Sequence, residues 1–149
     1  MIVRPTVRMH VFAACASVVL FSGCGPKVGQ VTGQVSLDGQ PLLGSNGVVA
    51  TVVFRPTSGS GPSAVGAVDA DGRYTLYTGS TTGVQPGEYV VTCTANQLIP
   101  GADGGAASGK TLSDPKFADS KTSGFAFTVV PGHNEFDIPV ESPKGRTPR

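Results

Sequence analysis

Residues 48–55 read VVATVVFR, a run made almost wholly of apolar and β-branched side chains. Valine and threonine branch at Cβ, which restricts their rotamers in a helix and lets them pack well on a pleated sheet. Pro56 follows directly and has no N–H to donate to a central ladder. The run therefore predicts a β-strand that ends before Pro56.

Strands of similar character are predicted on both sides of this run. In residues 31–37 (VTGQVSL) apolar and polar positions alternate, which is the period-2 pattern of a half-buried strand. Five further strands are predicted at 64–69, 73–78, 88–94, 124–130 and 134–140. Asp38-Gly39 and Ala70-Asp71-Gly72 supply hairpin turns. Seven short strands in about 110 residues, with no helical period, predict an all-β sandwich of two sheets over residues 31–141.

One long stretch, residues 95–123, shows no clear strand pattern. Loops beyond about 12–15 residues in a compact domain are usually functional or disordered. Within it, residues 101–109 (GADGGAASG) are nearly free of side chains, which is typical of a disordered tip. Residues 114–121 (DPKFADSK) form the candidate binding loop, with Phe117 as an anchor onto the sandwich. The candidate binding residues are Asp114, Lys116, Phe117, Asp119 and Lys121.

The composition agrees with an all-β fold. The 149 residues include 21 Gly, 12 Pro and no Trp, and only 14% of them are charged. A helical bundle needs charged helix surfaces and few helix breakers, so this composition disfavours it. The formal net charge of +1 gives no basic surface that would indicate nucleic-acid binding. Residues 142–149 (SPKGRTPR) are polar and predict a flexible tail.

The first 23 residues have the pattern of a secretory signal. Arg4 and Arg8 precede residues 11–21 (VFAACASVVLF), an uncharged stretch shorter than the roughly 20 residues that span a bilayer. Residues 20–24 (LFSGC) then resemble a bacterial lipobox, in which small residues precede a cysteine that is lipidated and becomes the mature N-terminus. The thiolate of Cys24 is the nucleophile that this lipidation needs. The sequence thus predicts a lipoprotein signal peptide at 1–23, lipidation at Cys24 and a tether at 24–30.

Processing at Cys24 also sets the location of the mature chain. Ordinary signal cleavage after Ala16 is the alternative, and it leaves a hydrophobic segment shorter than the usual 7 to 15 or so residues. Cys15 leaves with the signal and Cys24 takes the lipid, so Cys93 has no disulfide partner in the chain. Acyl chains on Cys24 are the expected contact with membrane lipid. Because Gly25 stands where an aspartate would favour the inner membrane in some bacteria, we expect a cell-envelope protein of the outer membrane.

Five phrases occur in order along the chain. They are VTGQV at 31–35, LDGQPL at 37–42, VFRP at 53–56, DADGRY at 69–74 and PGEYVV at 86–91. Together they resemble carboxypeptidase regulatory-like domains, and the ending from KFAD at 116–119 to VPGHNEF at 130–136 is similar to that of small bacterial lipoproteins of this type. The resemblance implies a seven-stranded Ig-like, transthyretin-like sandwich. It also implies a non-catalytic accessory or structural module, in some members linked to carbohydrate or protein binding.

Patterns for catalysis or metal binding are weak. His133 is the one histidine left after processing, and a Cys93–His133 nucleophile pair is the catalytic arrangement that the sequence allows. Cys93 continues the apolar face of Tyr89, which favours a buried structural role for the thiol. Asp69 and Asp71 resemble the start of a calcium loop, but the residues after them continue as a strand, so they are weak metal candidates. No cofactor is expected.

Three functions follow, in order of preference. The first is a membrane-anchored lipoprotein whose non-catalytic β-sandwich binds or braces a cell-envelope component. The second is a surface carbohydrate-binding module, for which residues 77–82 (YTGSTT) offer a hydroxyl-rich rim without a Trp platform. The third is a hydrolase that uses Cys93 and His133. The expected partners are membrane lipid, through acylated Cys24, and an envelope protein or glycan.

Overall fold

The computed structural model describes residues 28–101 and 108–144, which form two packed β-sheets. These residues contain twelve strands and a short 3-10 helix, Pro115–Ala118, and no helix among them is long and apolar enough to cross a membrane. The expected all-β sandwich is confirmed. Several predicted features lie outside the described residues: the signal peptide at 1–23, Cys24, most of the Gly-rich tip at 102–107 and the end of the tail at 145–149.

The first sheet is built around β1 (Gly29–Leu37), which pairs along both of its edges. The other four strands are β2 (Gln40–Pro41), β5 (Arg73–Thr75), β11 (Gly132–Glu135) and β12 (Ile138–Val140). On one edge of β1 lie β11 and β12, both parallel to it, and on the other lie β2 and β5, both antiparallel. Since β1 begins at Gly29, the last two residues of the predicted tether belong to the sandwich.

The second sheet has seven strands. Its centre is the antiparallel pair of β3 (Val48–Pro56) and β8 (Gly87–Ile99), in register from Val48↔Gln97 to Pro56↔Tyr89. The other strands are β4 (Ala64–Ala67), β6 (Tyr77–Thr78), β7 (Thr81–Thr82), β9 (Ser108–Thr111) and β10 (Phe125–Val129). The order is β10-β8-β3-β4-β6-β7, with β9 beside β8. The run at 48–55 is thus one of two central strands, as its composition predicts.

The core lies between the two sheets and follows the alternation along their strands. In β3 the inward positions Ala50, Val52 and Phe54 are buried, whereas Val49, which points outward just before them, is half exposed. Phe54 has no exposed surface, and its ring meets that of Phe136 edge-on, with centroids 6.2 Å apart. Edge-to-face aromatic pairs of this kind add to the free energy gained from burial.

The structure has more strands than the seven predicted, partly because two predicted strands are each divided. The strand at 73–78 divides at Leu76, because β5 pairs with β1 in one sheet and β6 pairs with β4 in the other. Leu76 is fully buried where the chain passes between the sheets. The strand at 134–140 divides near Asp137, whose Oδ1 accepts the N–H of Gln34 at 2.8 Å in place of a backbone carbonyl.

The prediction of a continuous loop over residues 95–123 is wrong at 95–99 and at 108–111, and the last two residues of the predicted disordered tip, 108 and 109, lie in a strand. β8 continues to Ile99, and β9 pairs with its last residues from Asn96↔Thr111 to Ile99↔Ser108. β9 reads SGKT, which has little strand propensity, so it forms because the edge of β8 offers free backbone groups. The missed strands are therefore those specified by pairing rather than by local composition.

Candidate functional site

The candidate binding loop at 114–121 folds against the edge of the second sheet. Phe117 lies in the 3-10 helix and is only 6% exposed. Its ring stacks on Phe125 of β10, with centroids 5.4 Å apart and an angle of 13° between the ring planes. The predicted anchoring of the loop by Phe117 is confirmed.

The two aspartates of this loop are occupied in local turns. Asp114 caps the 3-10 helix, its Oδ1 accepting the N–H of Lys116 at 3.0 Å. Asp119 Oδ1 accepts the N–H of Lys121 at 2.8 Å. These bonds hold both aspartates in the turns of the loop. Of the charged residues predicted to bind, Lys116 is the one that lines a cleft.

This cleft, here called the Lys116 cleft, has a volume of about 770 Å³. It opens between the candidate loop, the β1–β2 turn and the chain that follows β12. Its residues are Asp38, Gly39, Lys116, Phe117, Phe125 and 139–144. Phe117 and Val140 are buried and Phe125 is half buried, whereas the two prolines and the charged side chains are exposed at the rim.

An ion pair and a cation–π contact hold Lys116 at the rim. Lys116 Nζ lies 3.2 Å from Glu141 Oε2 and 4.6 Å from the centroid of the Phe117 ring. The two charged side chains are 42% and 54% exposed, so the pair contributes no more than about 1 kcal/mol to stability. An incoming ligand that carries charge can replace either partner at little cost in free energy.

The opposite wall of the cleft is tied to β1 through Asp38. Asp38 Oδ1 accepts the N–H of Ser142 at 3.0 Å, and Asp38 N donates to the carbonyl of Val140, also at 3.0 Å. The hydrogen bonds from Ser142 lower the pKa of the Asp38 carboxyl, because they stabilise its ionised form. The rim therefore carries a fixed negative charge at neutral pH opposite the exchangeable Lys116–Glu141 pair.

Asp69 and Asp71 belong to the turn between β4 and β5. Asp69 Oδ1 accepts two backbone N–H groups, from Asp71 and from Arg73, each at 2.9 Å. This is the Asx-turn geometry of an aspartate that starts a tight turn. No group of three potential metal ligands occurs within 28–101 and 108–144.

The structure separates Cys93 from His133. Cys93 lies on the inward face of β8 with no exposed surface, and burial raises the pKa of its thiol to about 12. His133 is exposed on β11, beside Gln30 on the outward face of the other sheet. β1 and its neighbours therefore lie between the two side chains, so the thiol has neither the base nor the thiolate character that a nucleophile requires.

Sequence reasoning missed the parts of the Lys116 cleft contributed by Asp38, Glu141 and Ser142. Asp38 and Ser142 are 104 positions apart and meet because β1 and β12 run parallel to the same end. The residues 37–41 gave a turn signal and no sign of a binding role. Only the sheet topology brings these groups together.

A smaller cleft of about 300 Å³ lies at the opposite end of the sandwich, between residues 56–62 and 85–89. Its lining is rich in Gly, Ser and Pro, and its one charged residue is Glu88. It offers fewer groups that could orient a ligand than the Lys116 cleft does.

Comparison with known proteins identifies no family. No protein-family model matches the chain, and no curated protein matches it. Among solved structures, a 9R-lipoxygenase from Cyanothece PCC8801 is 17% identical, with a TM-score of 0.35. The match covers 78% of this chain and 17% of the lipoxygenase chain. At this TM-score the likeness supports no inference about fold or activity.

Proposed function

We propose that the protein is a lipid-anchored component of the bacterial cell envelope whose β-sandwich binds another envelope component without catalysing a reaction. The lipobox-like residues 20–24 support the anchor, and the sandwich begins five residues later at Gly29. The ordered phrases between 31 and 136 support a carboxypeptidase regulatory-like, transthyretin-like module. Gly25 favours the outer membrane over the inner one.

The observation that carries the binding role is the Lys116 cleft. It combines an apolar lining with a fixed anion at Asp38 and a weak Lys116–Glu141 pair that a ligand can displace. Binding sites usually combine a mostly apolar concave surface with a few polar groups that set orientation.

The geometry favours a peptide segment of an envelope protein over a glycan. Glycan sites rely on an open aromatic face, whereas the Phe117 face is covered by Phe125 and the side chain is 6% exposed. A peptide can place an apolar side chain against the lining of the cleft and pair a neighbouring charged side chain with a residue of the rim. A surface carbohydrate-binding module remains the alternative that the experiment below separates.

The test is site-specific photo-crosslinking in living cells. A photoreactive residue replaces Pro143, an exposed residue in the lining of the Lys116 cleft, and a matched control carries it at Ala67, exposed on the outer face of β4. We expect a discrete crosslinked protein from position 143 and none from position 67. Lys116→Glu in the position 143 background should reduce the yield, because it removes the cation from the rim.

Two results would contradict the peptide assignment. Equal crosslinking from both positions would show that the cleft is not the binding surface. A blank from position 143, together with binding of the detergent-solubilised full-length protein to envelope polysaccharides, would favour the carbohydrate-binding alternative.

A further inference from the structure

The start of the described chain lies at one end of the sandwich, here called the tether end (residues 28, 57–63, 79–87 and 130–132). Val28 O accepts the N–H of Gly132 at 3.3 Å, and Gly29 exchanges two backbone hydrogen bonds with Val84, each 2.8 Å long. Thr57 N donates to the carbonyl of Glu88 at 3.0 Å, which brings the 57–63 loop to the same end. These contacts place the first residue of the sandwich among the loops of this end.

Charge is distributed unequally between the two ends. The tether end has one charged side chain at its border, Glu88, which lines the cleft between residues 56–62 and 85–89. The opposite end, here called the far end (residues 38–47, 69–72, 110–116 and 141–144), carries both signs. Its charged residues are Asp38, Asp69, Asp71, Lys110, Asp114, Lys116, Glu141 and Lys144. The far end includes most of the Lys116 cleft.

The covalent distance from Cys24 to Val28 limits how far the tether end can lie from an anchored lipid. Four consecutive residues span at most about 14 Å when fully extended. β1 has nine residues, so at roughly 3.3 Å per residue it carries the chain about 30 Å from the tether end toward the far end. The far end of β1 therefore lies farther from Val28 than the tether can reach.

We propose that the tether end faces the phospholipid headgroups, so that the far end and its Lys116 cleft point away from the membrane. This rests on the proposed lipidation of Cys24. The tether end suits a headgroup surface because the hydroxyl and backbone groups of its loops can hydrogen-bond to phosphates and amines. Val28 and Val130 are 36% and 52% exposed there and can shed water at that boundary.

Fluorescence quenching on the full-length, lipidated protein tests this orientation. Single cysteines at Ser60→Cys (tether end) and Asp71→Cys (far end) carry the same fluorophore, since both positions are exposed and Cys93 is buried. The proteins are reconstituted into phosphatidylethanolamine–phosphatidylglycerol vesicles that contain a headgroup-labelled quencher lipid. We expect the probe at position 60 to lose most of its emission and the probe at position 71 to keep its emission.

The outcomes separate this proposal from the proposed lipidation. Vesicle flotation with equal quenching at both positions, or with stronger quenching at position 71, would overturn the orientation and leave the anchor intact. A protein that neither floats with vesicles nor carries acyl mass would remove the anchor and the orientation with it.

Discussion

Gly33 lies where β1 comes closest to the chain that follows β11. A Cβ at this position would overlap the carbonyl oxygen of Phe136. The same oxygen accepts the hydroxyl of Tyr74 at 2.6 Å, and Phe136 N donates to the carbonyl of Thr32 at 2.9 Å. Burial raises the pKa of Tyr74, and the nearby charge of Asp137 adds to the effect. Because Gly33 has no Cβ, β1 can lie this close to Tyr74 of β5 and to Phe136 after β11.

Gly33→Ala is expected to destabilise the fold by about 3 kcal/mol, because the added methyl group meets backbone that cannot move alone. The matched control is Gly109→Ala in β9, where an added Cβ has no atom within 4 Å. Urea unfolding of both variants measures the difference. Equal midpoints would contradict the close approach at Gly33.

Cys93 is expected to be inert in the folded protein. It is fully buried, and its pKa is raised from the ordinary 9.0 to about 12. A thiol reagent at pH 8 should label it only after denaturation. Rapid labelling of the native protein would instead support the hydrolase hypothesis, since it would reveal an accessible thiolate.

The same pKa shift predicts a pH dependence of stability. The folded state holds the thiol proton more tightly than the unfolded state, so this contribution is complete below about pH 9 and is lost between pH 9 and 12. Unfolding free energies measured across this range should therefore fall more steeply for the wild type than for Cys93→Ala. Tyr74 titrates in both proteins, and because the charge of Cys93 contributes to the raised pKa of Tyr74, the difference between the two curves includes this coupling. Parallel curves would contradict the burial of the thiol.

At the scale of elements, the 3-10 helix is held by its aromatic anchor and not by its ion pair. Phe117→Ala should cost about 3 kcal/mol, because it removes a buried ring stacked on Phe125. Lys116→Ala should cost less than about 1 kcal/mol, since the Lys116–Glu141 pair is exposed to solvent. Chemical denaturation of the two neighbouring variants tests both values. A larger loss from Lys116→Ala would contradict this ranking.

The two strands of the β8–β9 hairpin should differ in hydrogen exchange. β8 is paired with β3 on one edge and with β10 and β9 on the other, whereas every residue of β9 is exposed. Amides of residues 89–97 should exchange at least on the order of 100-fold more slowly than those of 108–111, because local opening releases β9 first. Equal protection would contradict its place at the edge of the sheet.

Whether the sequence predicts a strand depends on whether the strand forms because of its own residues or because of the strand it pairs with. Residues 48–55 are a strand because their own side chains favour one, and Phe54 and Val52 become core by simple alternation. β9 has no such signal, since its pairing with β8 is the reason that it forms. The division at Leu76 was likewise hidden, because it arises where the chain changes sheets and not from a turn residue.

At the scale of the whole molecule, the prediction of an anchor needs a much shorter part of the chain than a prediction of the binding surface would. The lipobox-like residues 20–24 are contiguous, so one short stretch carries the whole prediction of an anchor. The Lys116 cleft needs β1, β12 and the candidate loop to meet at one end, which only the sheet topology provides. Phe117 was the one residue of the cleft whose anchoring role could be predicted from sequence, because it is a lone aromatic in a polar loop.

The most direct test of the anchored sandwich is the intact mass of the native protein extracted from membranes with detergent. The proposal requires a chain that begins at Cys24 and carries the additional mass of acyl groups on that residue. A Cys24→Ser variant is the control and should stay out of the membrane-extracted, acylated pool. An unacylated native chain, whether it begins at Met1, at residue 17 or elsewhere, would contradict the account.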